Sequence, residues 1–180
     1  EEEWLPTISR FAADYLVEEI KKDLKLLDIE FDVFSSEREL RESGKVELAY
    51  NELKARGLIY TGVLEPPKGK VVEDWEPTEM ELFKATQFGD DVDRPLRRMD
   101  GTWTYFAPDI AYHYDKFKRS GPMMVTVVGT DHQGWVQRIK SAVAAITDGT
   151  ALFEPRLYNL VMFYENGVPF KMSKRAGTFV

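Results

Sequence analysis

The sequence predicts an α/β protein with an open parallel sheet, and three observations carry that expectation. Met123 to Val128 is an apolar run of strand length, interrupted only by Thr126, the pattern of a strand buried on both faces of a parallel sheet. After Gly101 the hydrophobic period alternates between strand-like and helix-like stretches. The 180 residues are 43% hydrophobic and 13% aromatic, enough to bury a core, and one domain is the default for that length.

Taken in order, residues from about Thr7 to Leu27 carry Ile8, Phe11, Tyr15, Leu16, Leu24 and Leu27 near helical spacing, with charges between them, as an amphipathic helix does. Ile29 to Phe34 alternates apolar and acidic residues, which predicts a half-buried strand. Ser36 with Glu39 forms a capping box for a second helix, and Val46, Ala49, Tyr50 and Leu53 continue one apolar face until Gly57 stops it. Leu58 to Tyr60 reads as a short strand. From about 64 to 77 the chain turns to Pro, Gly, Lys and Glu, the composition of an exposed loop inserted in the domain, where Lys68 and Lys70 read as solvated charges. Gly89 to Arg94 holds three acids in four residues, but without the later Glu of a calcium loop it reads as an exposed turn.

Thr102 to Phe106 is β-branched and aromatic, as a strand is, and Pro108 then sits where the first turn of a helix tolerates it. Ile110, His113, Tyr114 and Phe117 follow at helical spacing. Beyond the Met123 strand, Gly129-Thr130 turns the chain into a helix carrying Val136, Ile139, Val143 and Ile146. Leu157 to Tyr164 and Val168 to Phe170 flank Asn166-Gly167, a strong hairpin signal.

Composition narrows the chemistry. A net charge of -7 argues against a protein that coats nucleic acid, so any RNA contact is local. The absence of cysteine removes disulfides and thiolate metal sites, and it fits a reducing compartment. No metal cluster is evident, no apolar run is long enough to span a membrane, and the start lacks a signal-peptide pattern. Without a Ser nucleophile elbow, a Walker loop or a Gly-x-Gly-x-x-Gly turn, the hydrolase, P-loop and dinucleotide classes lack their residues.

In an open parallel sheet, ligands bind beyond the carboxyl ends of the strands. Tyr105 with Asp109, and Asp131 with His132, fall at such ends. A carboxylate beside a phenol suits a cationic substrate head. The plainer alternatives are that Tyr105 is a core aromatic and that Asp109 is a helix-start acid favoured by the macrodipole. His132 stands where it can hydrogen-bond a nucleotide or substrate, Asp131 can cap the helix, and His113, mid-helix, reads as structural. After the hairpin, Lys171-Met172-Ser173-Lys174-Arg175 places two ammonium groups three residues apart, which suits a polyphosphate.

This last stretch resembles the second signature of class I aminoacyl-tRNA synthetases. Residues 31–38 (FDVFSSER), 88–94 (FGDDVDR), 104–113 (TYFAPDIAYH) and 129–132 (GTDH) resemble arginyl-tRNA synthetase in particular, in order along almost the whole chain. The resemblance implies a Rossmann-type parallel sheet flanked by helices, with residues 1–180 as the C-terminal part of a catalytic domain. It also implies a cytoplasmic enzyme that activates arginine with ATP, as Mg-ATP, and passes it to tRNA(Arg). By position, Tyr105, Asp109 and His132 would hold arginine, Gly129, His132, Met172 and Ser173 would hold ATP, and Lys171 and Lys174 would be catalytic. Where the family often has Ala and a second His, this chain has Thr130 and Gln133, so Gln133 receives no role. The His-x-Gly-His element of class I enzymes does not occur in these 180 residues, so the chain reads as a fragment that is inactive alone. The alternative is a noncatalytic nucleotide- or tRNA-binding paralogue.

Overall fold

The computed structural model describes residues 3–64, 78–159 and 161–170, and the chain falls into two units, Glu1–Ser36 and Glu37–Val180. The first unit is built on helix α1, Leu5–Leu26, which has Pro6 in its first turn, a position that needs no backbone N–H. Pairs one turn apart, Glu18 with Lys21 and Glu19 with Lys22, line its surface. No side chain of α1 is buried, so its apolar stripe marks the helix without showing what covers it. The strand expected over Ile29 to Phe34 does not form. Phe31 and Phe34 instead meet edge to face at 5.6 Å, and the Lys21 ammonium lies 5.0 Å from the Phe34 ring centre. Residues three apart point to opposite faces of a strand, so that contact requires an irregular backbone.

The second unit opens with two helices, α2 at Glu37–Glu42 and α3 at Lys45–Ala55. The latter buries Val46, Ala49, Tyr50 and Leu53, the face that spacing predicts. Gly57, at φ +69°, ends it: Gly57 N–H donates to Lys54 O and Leu58 N–H to Leu53 O, a Schellman pair that satisfies the last carbonyls. Strands β1 (Ile59–Val63), β2 (Glu79–Phe83) and β3 (Arg94–Arg98) form an antiparallel sheet in that order, with Ile59 opposite Phe83 and Phe83 opposite Arg94. Apart from Leu64 and the last residue before β2, the loop expected between β1 and β2 lies outside the described residues.

The acidic stretch before β3 is a turn but not a wholly exposed one. Asp90 is 8% exposed and accepts two hydrogen bonds from the Arg94 guanidinium, at 2.6 and 2.8 Å. Burial alone would raise its pKa; the Arg94 and Asp91 contacts outweigh it and hold Asp90 below the usual carboxylate range. Asp93 accepts from the Thr86 amide and hydroxyl and from the Tyr60 hydroxyl. These carboxylates tie the turn to the sheet.

Thr102 to Phe106 is not a strand of the parallel sheet. It folds back along β3 through one bridge, Trp103 with Arg97, and the bonds Arg98 N–H to Thr102 O and Thr104 N–H to Leu96 O. The Asp100 carboxylate sets that reversal by accepting from the Thr102 amide and hydroxyl. Helix α4, Phe106–Ser120, follows at once, then β4 (Met123–Gly129), a 3-10 turn at Thr130–His132, α5 (Gln133–Ile146) and β5 (Leu152–Tyr158). Strands β4 and β5 pair in parallel from Met123 opposite Leu152 to Gly129 opposite Tyr158. Leu157 and Tyr158 thus end β5 and do not continue into the hairpin, whose strands are β6 (Phe163–Glu165) and β7 (Val168–Phe170). Asn166 and Gly167 join them at φ +51° and +78°, both left-handed as a type I′ turn demands.

Leu53, Phe83, Leu96, Ile110 and Ile146 belong to one core, and Met124, Ile139 and Val143 to a second, with Phe106 and Phe117 of α4 packed against both. The expected parallel sheet is thus represented, among the described residues, by two strands in a mixed α/β fold. β4 is not covered on both faces: Met124 is buried, but Met123, Val125 and Val127 are 66%, 46% and 66% exposed.

Candidate functional site

Because α4 runs into β4 through the turn at Gly121, and α5 leaves β4 through Thr130–His132, the first turns of both helices lie at the carboxyl end of the parallel pair. A hydrogen bond shows the two turns in contact. Trp135 Nε1–H, from the start of α5, donates to Asp109 Oδ2, from the start of α4, at 2.9 Å. Two helix N-termini at one strand end supply unpaired amides and positive dipole ends, the usual setting of an anionic ligand group.

Asp109 departs from that pattern in an informative way. Burial raises its carboxyl above the ordinary value; the indole N–H offsets this in part, and the charge of Glu37 adds to it. Among the described residues the indole is its one hydrogen-bond partner, and no Lys or Arg pairs with it. A half-buried carboxylate without a cation favours a ligand that brings one.

His113, one turn further along α4, is 2% exposed. Its Nδ1–H donates to the Asp109 carbonyl at 2.8 Å, while Nε2 is buried and without a partner among the described residues. The rings of Tyr112, Trp135 and Phe153 surround it at 5.2, 5.7 and 5.3 Å. Burial, with the charge of Lys116, lowers its pKa from 6.5 to about 4 despite the carbonyl bond, so the ring is neutral near pH 7. The structural reading of His113 fits this setting.

The remaining expected site residues are placed less closely. Tyr105 is the residue that precedes α4 and is 87% exposed, so it is not a core aromatic. Gly129 ends β4 with its residue buried. His132 precedes α5 and is exposed, its Nε2 3.6 Å from the Asp131 carboxylate; neither side chain caps the helix. Neither Tyr105 nor His132 hydrogen-bonds to Asp109. Lys171, Met172, Ser173 and Lys174 lie outside the described residues. Among the described residues, no group of three or more His, Cys, Asp or Glu side chains could hold a metal ion, and no helix is long and apolar enough to cross a membrane.

Sequence reasoning did not single out Trp135. The available signal was its place three residues after His132, in the first turn of a helix that starts at a strand's carboxyl end. An apolar period counts such an indole as core and ignores its N–H.

No protein-family model matches the chain. Curated relatives do, over all 180 residues: arginine–tRNA ligases of Roseobacter denitrificans, at 57% identity, and of Ruegeria pomeroyi, at 55%. The chain spans 31% of the length of each. Its backbone also resembles a solved arginyl-tRNA synthetase structure from Campylobacter jejuni, with a TM-score of 0.73 and 30% identity, over 96% of this chain and 34% of that one. From end to end, therefore, the chain is a homologue of about a third of an arginine–tRNA ligase.

Proposed function

We propose that the chain is the C-terminal part of the Rossmann-type catalytic domain of a cytoplasmic arginine–tRNA ligase, the part that receives the arginine side chain and the ATP phosphates. The observation that carries this reading is the Asp109 carboxylate, half-buried, partnered by a neutral indole and standing at the carboxyl end of a parallel strand pair. End-to-end identity with arginine–tRNA ligases supports it.

In this reading Asp109 pairs with the guanidinium of arginine, and Tyr105 and His132 stand beside it. Gly129, with the backbone around Met172 and Ser173, borders the ATP. The carboxylate of arginine attacks the α-phosphorus of ATP, forming arginyl-adenylate as pyrophosphate leaves. A terminal ribose hydroxyl of tRNA(Arg) then attacks the arginyl carbonyl, releasing AMP. Lys171 and Lys174 offset the charge that builds on the phosphate oxygens, a step in which positioning and charge dominate. Magnesium, arriving with ATP, neutralises phosphate charge when bound. The isolated chain is inactive in this account, for want of the His-x-Gly-His element.

The test is Asp109→Asn in the full-length ligase. Arginine binding should weaken by about 2–5 kcal/mol with ATP binding nearly unchanged, because the change removes one partner of a desolvated charge pair. Unchanged arginine affinity in a folded variant would refute the reading. For the isolated chain, arginine-dependent ATP–pyrophosphate exchange should not exceed that of a Lys171→Ala, Lys174→Ala control.

A further inference from the structure

We infer that Trp135 is a positioning residue for arginine selection: its indole N–H turns the Asp109 carboxylate toward the substrate cation without neutralising it. This rests on the proposed role of Asp109.

The geometry fixes one carboxylate oxygen and leaves the other available. Oδ2 accepts the indole N–H at 2.9 Å, whereas Oδ1 accepts from no described residue. A carboxylate on a helix's first turn can rotate about its terminal torsion, and one bond to a rigid ring restricts that rotation. The ring is itself held. Trp135 packs against the core of Met124, Ile139 and Val143 and lies 5.7 Å from His113, which is pinned to the Asp109 carbonyl. Indole, imidazole and carboxylate thus bind the first turns of α4 and α5 into one unit.

The chemistry of the donor matters as much as its place, as a second acid of the molecule shows. Asp90 is held by the Arg94 guanidinium at 2.6 and 2.8 Å, an arrangement that secures a turn and leaves little charge for a ligand. A Lys or Arg at Trp135 would do the same to Asp109 and compete with the substrate. Indole donates a hydrogen bond and carries no charge, so the carboxylate is oriented with its charge intact. Glu37, close enough to act on Asp109, adds to the negative field, although its own carboxylate is engaged by Arg41 at 2.7 Å. The arrangement favours a guanidinium over a neutral analogue of the same shape, such as the urea of citrulline.

The experiment uses Trp135→Phe, which keeps an aromatic ring against His113 and loses the N–H, in the full-length ligase alone and combined with Asp109→Asn. Thermal melts confirm folding, and Trp135→His, which restores a donor on a smaller ring, is the second variant. The arginine KM of Trp135→Phe should rise about tenfold, the usual scale for losing one such bond. kcat and the ATP KM should change little, and the preference for arginine over citrulline should narrow. Combined with Asp109→Asn, Trp135→Phe should add almost nothing, and Trp135→His should recover part of the lost affinity. If Asp109→Asn raises the arginine KM and Trp135→Phe does not, the inference falls and the role of Asp109 stands. If Asp109→Asn leaves the arginine KM unchanged, both fall. Equal penalties from Trp135→Phe with and without Asp109, or on arginine and ATP alike, would overturn the inference by marking the indole as packing alone.

Discussion

The antiparallel sheet β1–β3 and the parallel pair β4–β5 share helix α4 as a neighbour, yet they differ in how far they are covered. On the antiparallel side Leu82, Phe83 and Leu96 are all at most 1% exposed. On the parallel side Met124 is buried, but the alternate residues Met123, Val125 and Val127 are open. An antiparallel sheet is stable with one face packed and the other wet, whereas parallel strands are apolar on both faces because both are normally covered. The side that carries Asp109 and Trp135 is therefore the side that is half-packed among the described residues. The chain spans 31% of the length of its curated relatives, and under the proposed function the remainder of a longer ligase would cover this face.

The largest expected effect lies in the antiparallel core. Phe83→Ala removes a fully buried ring and should destabilise the chain by about 3–5 kcal/mol in urea unfolding. A loss under about 1 kcal/mol would mean that the antiparallel core is no better packed than the open face. Next is His113. Its pKa falls from 6.5 to about 4 on folding, so below pH 6.5 the unfolded chain binds a proton that the folded chain refuses. Stability from this residue is complete above pH 6.5 and declines as the pH drops towards 4, by a total on the order of 3 kcal/mol. His113→Phe should flatten that slope; a slope that persists unchanged would place its origin elsewhere.

Smaller effects are expected at Gly57 and Val127. Gly57→Ala forces a side chain into a left-handed residue at φ +69° and should cost about 1–2 kcal/mol, since nothing within 4 Å would clash and only the backbone is strained. Val127→Thr, on the open face, should alter the isolated chain by no more than about 0.5 kcal/mol. In the full-length ligase the same substitution should cost more, about 1 kcal/mol or above, because the hydroxyl is then buried. Equal effects in both contexts would show that this face stays open in the whole protein.

Much of the secondary structure was legible in the residues. The face of α3, the hairpin turn at Asn166-Gly167 and the run of β4 are local: each depends on periodicity, a stop signal or a positive φ that few residues tolerate. Readings that needed a partner fared worse. Ile29 to Phe34 alternates like a strand but has no neighbouring strand among the described residues of its unit, and Thr102 to Phe106 has strand composition but returns antiparallel along β3. Strand propensity records a fit to a half-buried surface, and the surface is made by another part of the chain.

For the site, local sequence is enough to say which groups stand near the strand end. Tyr105 and Asp109 lie at the start of α4, Gly129 ends β4, and His132 opens α5, because each is only a few residues from an element boundary. Which of them meet depends on packing between elements. That packing left Tyr105 and His132 exposed and brought Trp135 to Asp109 across 26 residues of chain. It also separated Asp90, paired with Arg94, from Asp109, paired with an indole. The reason is physical: a carboxylate's state depends on its burial and on the charge of its nearest partner, and both are set by packing between elements, not by spacing along the chain.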